Sequence, residues 1–410
     1  MERAASQCEQ CVFPSIRNQA SMTISSNDES MRRRSGESQN NRASSSTQPP
    51  NLAHSPVQRF QNIQALRAVA ALLVFAHHAL AHYDSIGGSN GWFRAMATYG
   101  FAGVDIFFVI SGFVAAHSTL GKPRTFSEAR VFGVRRFLRI YLGYWPFFAL
   151  ALGLALLFAP QTVANFDVAR SFFLTSVNLP KLVLFITWSL SYELLFYLMI
   201  VASFMLTVQA IRRLIPVAAI VLVAFMLAWY GKALSPLQLF LAYATEFLAG
   251  AWVYLHWQQA KGWAWAIAAA LVTAAGFGMG VYLNATNNAV HILTFGVAGV
   301  GLLILGLVLE NSRWWQAGRV WRTLGDSSYT LYLAHLSFLT VFYFSGLRAF
   351  VAWQPGVWLD LGFFLCLGLF QILCCWYYLR VEAPLYRWAC TWPVAQGPVA
   401  KAAAVSKQVA

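Results

Sequence analysis

An arginine and a histidine eleven residues apart, Arg67 and His78, stand in one otherwise apolar stretch that runs from Ile63 to His78. Eleven helical steps make about three turns and ~16 Å of rise, which sets both side chains on one face. His77 is turned away by ~100° and points to another helix or to lipid. His82, one turn beyond His78, either tunes that residue or belongs to the mouth of a site. Ionisable groups at such depth are unfavourable in lipid unless they line an internal cavity. A fixed cation near the membrane edge and a titratable base deeper in suit an anionic, reactive ligand.

Other polar residues interrupt the apolar pattern in the same way. Asp105 and Ser111 fall in the stretch 103–113, where Gly112 admits a neighbouring backbone. Asp105 is either a site residue or an interfacial cap or ion-pair partner. Arg136 and Arg139 lie three apart on one helix face, a geometry that clasps phosphates. They sit in an amphipathic segment, 129–141, expected as an interfacial helix within a basic loop that also carries Lys122, Arg124, Arg130 and Arg135, of which Arg124 and Arg130 are expected to anchor the membrane surface. Glu193, flanked by Ser189, Ser191 and Tyr192, is either functional or a structural carboxylate satisfied from another helix, and Glu246 poses the same choice. Tyr329, Tyr332 and His335 recur every third residue along one slowly turning stripe. His335 is either a packed, hydrogen-bonded residue or a base. Glu382-Ala383-Pro384 reads as a helix stop, with Glu382 paired to Arg380 or Arg387.

Positioning these residues requires a membrane. Of the 410 residues, 58% are hydrophobic and only 11% charged, against roughly 25% charged in soluble domains. Apolar runs of about 20 residues mark ten spans, near 63–82, 98–118, 141–159, 183–205, 214–230, 236–256, 263–283, 290–309, 328–346 and 358–379. The expected fold is therefore all-α and polytopic. With the N-terminus inside, all of the 29 Lys and Arg residues except Arg94, Arg170, Lys181, Lys232 and Arg348 fall on the cytoplasmic side. The net charge of +14 thus reports topology and contact with anionic membrane lipids rather than nucleic acid.

Three regions are expected: a disordered cytoplasmic tail at 1–58, a membrane domain at 59–390, and a cytoplasmic C-terminal tail at 391–410. Met22 and Met31 are alternative starts for the first. No signal-peptide core precedes the first span, which then serves as an uncleaved insertion signal. Cys8 and Cys11 have metal-like spacing but no partner pair, and no metal is expected. Cys366, Cys374, Cys375 and Cys390 read as small apolar residues without a disulfide framework.

Five places in order carry a resemblance: Arg67 with His78; 105–113 with Ser111 and Gly112; Arg136 with Arg139; Trp188 through Glu193; and Ser328 through His335. Together they resemble the bacterial membrane acyltransferase family 3, O-acyltransferases of surface polysaccharides, over roughly residues 60–390. Many members carry two acidic residues where this chain has Tyr192-Glu193-Leu194. The Tyr-Glu variant resembles the exopolysaccharide-production, ExoZ-like branch. Many relatives also continue into an extracytoplasmic hydrolase-like domain; only 26 residues follow Pro384 here.

The resemblance implies a cytoplasmic acyl-CoA donor, most simply acetyl-CoA, and an acceptor hydroxyl on a carbohydrate or lipid-linked glycan across the membrane. Polysaccharide-assembly partners are consistent with it, and the bacterial inner membrane is the implied location, with both termini cytoplasmic. Arg136 and Arg139 would meet CoA phosphates, Arg67 the pantetheine or pyrophosphate entrance, and His78 the thioester. Neutral His78 then takes the acceptor proton, while Ser111, Tyr329 or Tyr332 stabilises the oxyanion. Glu193 or Asp105 would orient the imidazole, and His335 is a further candidate in the acceptor region. Direct transfer and an acyl-enzyme on His78 both remain open. A transporter using the same buried ionisable residues, or a non-catalytic lipid-binding component, are the competing classes.

Overall fold

In the computed structural model, residues 60–229, 234–285 and 289–396 are described, and every regular element among them is helical. The expected tail at 1–58, with Cys8, Cys11, Met22 and Met31, lies outside the described residues, as does 397–410 of the C-terminal tail. The chain runs α1 (Gln61–Ser85), α2 (Gly91–Thr98), α3 (Gly103–Thr119), α4 (Phe126–Phe158), α5 (Trp188–Ser203), α6 (Val208–Ala228), α7 (Pro236–His256), α8 (Gly262–Tyr282) and α9 (Ala289–Asn311). It continues through α10 (Arg319–Asp326), α11 (Ser328–Phe344), α12 (Gly346–Ala352), α13 (Val357–Tyr377) and α14 (Ala383–Ala389).

Among the described residues, eight helices are long and apolar enough to cross a membrane, and nine if α11 and α12, bent by 72° at Ser345, count as one span. Helix α7 falls outside that group although it has 21 residues. Gln238, Thr245, Glu246 and His256 lower its hydropathy, and Thr245 and Glu246 are buried against other helices rather than offered to lipid. The ten expected spans each coincide with a helix, so the protein is an all-α polytopic membrane protein.

Two boundaries differ from expectation. The basic segment 129–141 is no separate interfacial helix but the first part of α4, a single 33-residue helix. Thr125 caps its start by accepting the Glu128 amide at 3.3 Å, and nothing between Arg139 and Tyr141 breaks the backbone ladder. At ~50 Å, such a helix outreaches the ~30 Å hydrocarbon layer, so its arginine-bearing turns stand at the membrane edge. The helix stop expected at Glu382–Pro384 is also absent. A π-helical turn, Tyr378–Glu382, joins α13 to α14 and absorbs the amide that Pro384 lacks. That turn rotates Glu382 inward.

Small residues set the closest helix contact, between α3 and α7. A Cβ at Gly112 would lie 1.8 Å from the Phe247 carbonyl oxygen, and one at Gly250 1.9 Å from that of Val109. Close backbone approach of this kind takes the place of hydrophobic segregation in lipid. Gly112→Ala should force the two helices apart at a cost of about 1–3 kcal/mol, seen as a lower unfolding midpoint of the detergent-solubilised protein. An unchanged midpoint would show that the contact is not tight.

Candidate active site

Seven of the ten residues expected at the site converge on one cavity of about 130 Å³. Helix α1 supplies Arg67, α3 Ser111, α4 Arg136 and Arg139, α5 Glu193, and α11 Tyr329 and Tyr332. A smaller recess lined by Lys122, Arg135, Arg136, Arg139 and Tyr386 adjoins it. Arg136 and Arg139 belong to both, so an anion in the recess faces a continuous basic path toward the cavity.

The partners of these groups narrow their roles. Arg136 donates to the Tyr197 hydroxyl at 3.2 Å, and that hydroxyl donates in turn to Glu193. Glu193 is therefore held in the cavity wall by a tyrosine of its own helix, one turn along, and does not orient His78. Arg139 forms a largely buried ion pair with Glu382 at 2.5 Å, and Thr330 donates to the other carboxylate oxygen at 2.5 Å. Glu382 thus pairs neither with Arg380 nor with Arg387. Both tyrosine hydroxyls are committed: Tyr329 donates to the Ile140 carbonyl at 2.8 Å, and Tyr332 to that of Ile186 at 2.8 Å while meeting Ser189 Oγ. Neither is aimed at an oxyanion. Of the three candidates, Ser111 alone lines the cavity without a hydrogen bond from its hydroxyl among the described residues.

His78 lies elsewhere, although it shares Arg67's helix face. It lines a second cavity, about 440 Å³, that has no lining residue in common with the first. Tyr332 and Ser189, which line the first cavity, both donate to the carbonyl of Ile186, the residue after Phe185, which lines the second. The partner of His78 is His335, whose Nε2 is 3.1 Å from His78 Nδ1, with the rings 5.0 Å apart.

Hydrogen-bond matching fixes the tautomers of the neutral rings. His335 Nδ1 lies 3.2 Å from the Leu331 carbonyl, so it carries the proton and leaves Nε2 as acceptor. His78 Nδ1 then carries a proton shared between His335 Nε2 and the Val74 carbonyl, 3.0 Å away. His78 Nε2 keeps its lone pair, and no protein group bonds to it among the described residues. His77 turns away as expected and meets the Ala97 carbonyl of α2 at 2.9 Å.

Asp105 belongs to a third cluster. It is buried 3.5 Å from His291 Nε2, which also meets the Tyr243 hydroxyl at 3.1 Å, and it lies beside the buried Glu246. The expectation that Asp105 orients His78 is therefore overturned: the α3 register turns it toward α7 and α9. Arg124 donates to the Ser203 carbonyl at 2.5 Å and covers the Phe204 ring, capping the end of α5. His291 was missed, although an ionisable residue at the head of the eighth apolar run is itself a signal. Nothing in the spacing announced the His335–His78 contact, which spans 257 residues of sequence. Among the described residues no group of three or more His, Cys, Asp or Glu side chains is arranged to hold a metal ion.

A family model described as an acyltransferase domain matches residues 60–380. No curated protein and no solved structure matches the chain.

Proposed function

The chain belongs to the acyltransferase-3 family, and from that premise we propose an integral-membrane O-acyltransferase that moves an acyl group, most simply acetyl, from acyl-CoA to a sugar hydroxyl of an exopolysaccharide or other surface glycan. The Lys/Arg bias supports the basic recess as the cytoplasmic face of a bacterial inner membrane, with both termini inside. CoA phosphates meet Arg136 and Arg139 there, and the pantetheine arm runs past Arg67 and Ser111. The acceptor occupies the second cavity, beside His78.

The observation that carries this reading is the hydrogen bonding of the His78–His335 pair, which leaves His78 Nε2 without a protein partner among the described residues, on the helix face that bears the donor-side arginine. In the transfer, the acceptor oxygen attacks the thioester carbonyl carbon, so that a C–O bond forms and the C–S bond breaks. His78 Nε2 takes the hydroxyl proton and returns it to the departing CoA sulfur. The thioester reaches this base by passing from the first cavity to the second, beside Tyr332 and Ser189, so donor and acceptor meet where the two cavities approach each other. An acyl group resting on Nε2 would use the same atoms in two steps.

The test is transfer itself. Glycan from cells with and without the gene is compared by mass spectrometry, alongside proteoliposomes given radiolabelled acetyl-CoA. An ester that depends on the gene and derives from the CoA label is the expected result. Unchanged esters with altered solute uptake would replace this reading with transport.

A further inference from the structure

We propose, resting on the acyltransferase reading, that the acyl group is an uncharged aliphatic chain of about eight carbons, longer than acetyl, that lies in the second cavity along α4 and ends at the Phe158–Phe344 stack. The two cavities follow one another along three helices. On α1, Arg67 lines the first, and His78 and His82 line the second. On α11, Tyr329 and Tyr332 line the first, and Leu336, Thr340 and Phe344 the second. Helix α4 repeats the order, with Arg136 and Arg139 at the first and Ala151, Ala155 and Phe158 at the second. A donor whose CoA end meets the arginines, and whose thioester reaches His78, therefore points its acyl carbons along the second cavity.

The lining decides what those carbons carry. The cavity has about 440 Å³, and among the described residues only four polar ones line it: His78, His82, Ser337 and Thr340, with no Lys or Arg. All four belong to α1 and α11, whereas α4 offers only Ala, Leu and Phe. A sugar needs partners for its hydroxyls, so the acceptor takes the α1–α11 side, at His78. A dicarboxylic acyl group would bring its free carboxylate into an apolar space without a cation. An acetyl group has one methyl beyond its carbonyl and leaves most of the α4 side uncovered. Ala151 and Ala155, one turn apart on the same face, keep a lane open there for a flexible hydrocarbon.

The length of the lane is bounded at both ends. His335 Nε2 lies 3.1 Å from His78 Nδ1, so His335 marks the level of the base on α11. Phe344 stands nine residues further along that helix, ~13 Å by helical rise. There it stacks on Phe158 at 4.9 Å with the planes 4° apart, a closed contact between the last residues of α4 and α11. About 3 Å of the span separates the carbonyl carbon from the base. An extended chain advances ~1.2 Å per bond, so the remaining ~10 Å takes roughly eight bonds. The aromatic stack is the end wall: it admits an octanoyl chain and stops a palmitoyl one.

The full-length protein in proteoliposomes is given acetyl-, butyryl-, octanoyl- or palmitoyl-CoA, with glycan extracted from cells lacking the gene as acceptor. Mass spectrometry identifies the esters formed. The donor kcat/KM should rise at least about tenfold from acetyl to octanoyl and fall again at palmitoyl, since each methylene moved from water into an apolar site is worth about fourfold. An equal or higher kcat/KM for acetyl-CoA overturns the chain pocket while leaving acyl transfer standing. No ester from any of the four donors overturns the acyltransferase reading and this proposal with it. Ala155→Leu fills the lane and should lower the octanoyl-to-acetyl ratio of kcat/KM about tenfold; an unchanged ratio overturns the path along α4. Phe344→Ala opens the end wall and should raise palmitoyl relative to octanoyl. Phe158→Ala makes the same test from α4 should the first variant not fold. An unchanged palmitoyl-to-octanoyl ratio in the folded variant overturns the stack as the limit of chain length.

Discussion

His78→Ala should lower acyl transfer at least about a hundredfold, within the 10²–10⁴ that a positioned general base contributes, while the protein still inserts and elutes as a folded species. Position is the physical reason: among the described residues, His78 Nε2 is the only ring nitrogen of the His78–His335 pair left with a lone pair and no protein partner. Packing gives little cause for unfolding, since His78 is half-buried beside a cavity and its removal enlarges a space that already exists. His335→Ala separates chemistry from positioning. His78 Nδ1 then still has the Val74 carbonyl, so the ring keeps its tautomer and loses only one of two restraints. Its effect should be clearly smaller, nearer tenfold than a hundredfold, with KM for the donor unchanged. Radiolabel transfer in proteoliposomes measures both variants. A fully active His78→Ala protein would end the case for this base, and equal losses in both would mean that the pair acts as one unit.

The contrast between those two residues shows how far the amino-acid sequence could be read. Helical period alone puts Arg67 and His78 on one face and turns His77 away, because these relations lie within a single helix. Apolar run length places ten helices near their observed positions for the same reason. Contacts between helices obey no such period. His335 is 257 residues from His78, and Glu382 is 243 from Arg139. Which faces meet depends on small-residue contacts such as Gly112 on Phe247 and on the bundle's global packing. Thus residue types were legible and pairings were not: Glu193 and Asp105 both looked able to orient His78, and each is held by a different neighbour. The end of the last long helix shows a different failure. Pro384 reads as a terminator, yet a π turn can absorb a missing amide without ending the helix. That turn is what lets Glu382 reach Arg139 across the bundle.

The Arg139–Glu382 pair carries the second large expected effect. Breaking a buried ion pair by removing one partner costs about 3–5 kcal/mol, because the remaining charge stays desolvated. Glu382→Ala leaves the Arg139 guanidinium, 13% exposed, without its carboxylate and Thr330 without its acceptor. The folded yield in detergent should fall sharply, with a much lower unfolding midpoint. Arg139→Ala should be destabilising by a similar amount, since it strands the more deeply buried carboxylate. The double variant removes both charges and should be more stable than either single one, giving a coupling of about 2 kcal/mol or more in a double-mutant cycle. Donor binding separates the two roles that Arg139 can have. If the pair only ties α4 to the π turn, the refolded double variant binds acyl-CoA as well as the native protein does. If the guanidinium edge away from Glu382 also faces a CoA phosphate, the double variant recovers its stability and keeps a weakened donor KM. The cavity lining and the shared basic recess favour the second outcome, and recovery of both stability and donor KM would confine Arg139 to structure and leave the phosphates to its neighbours.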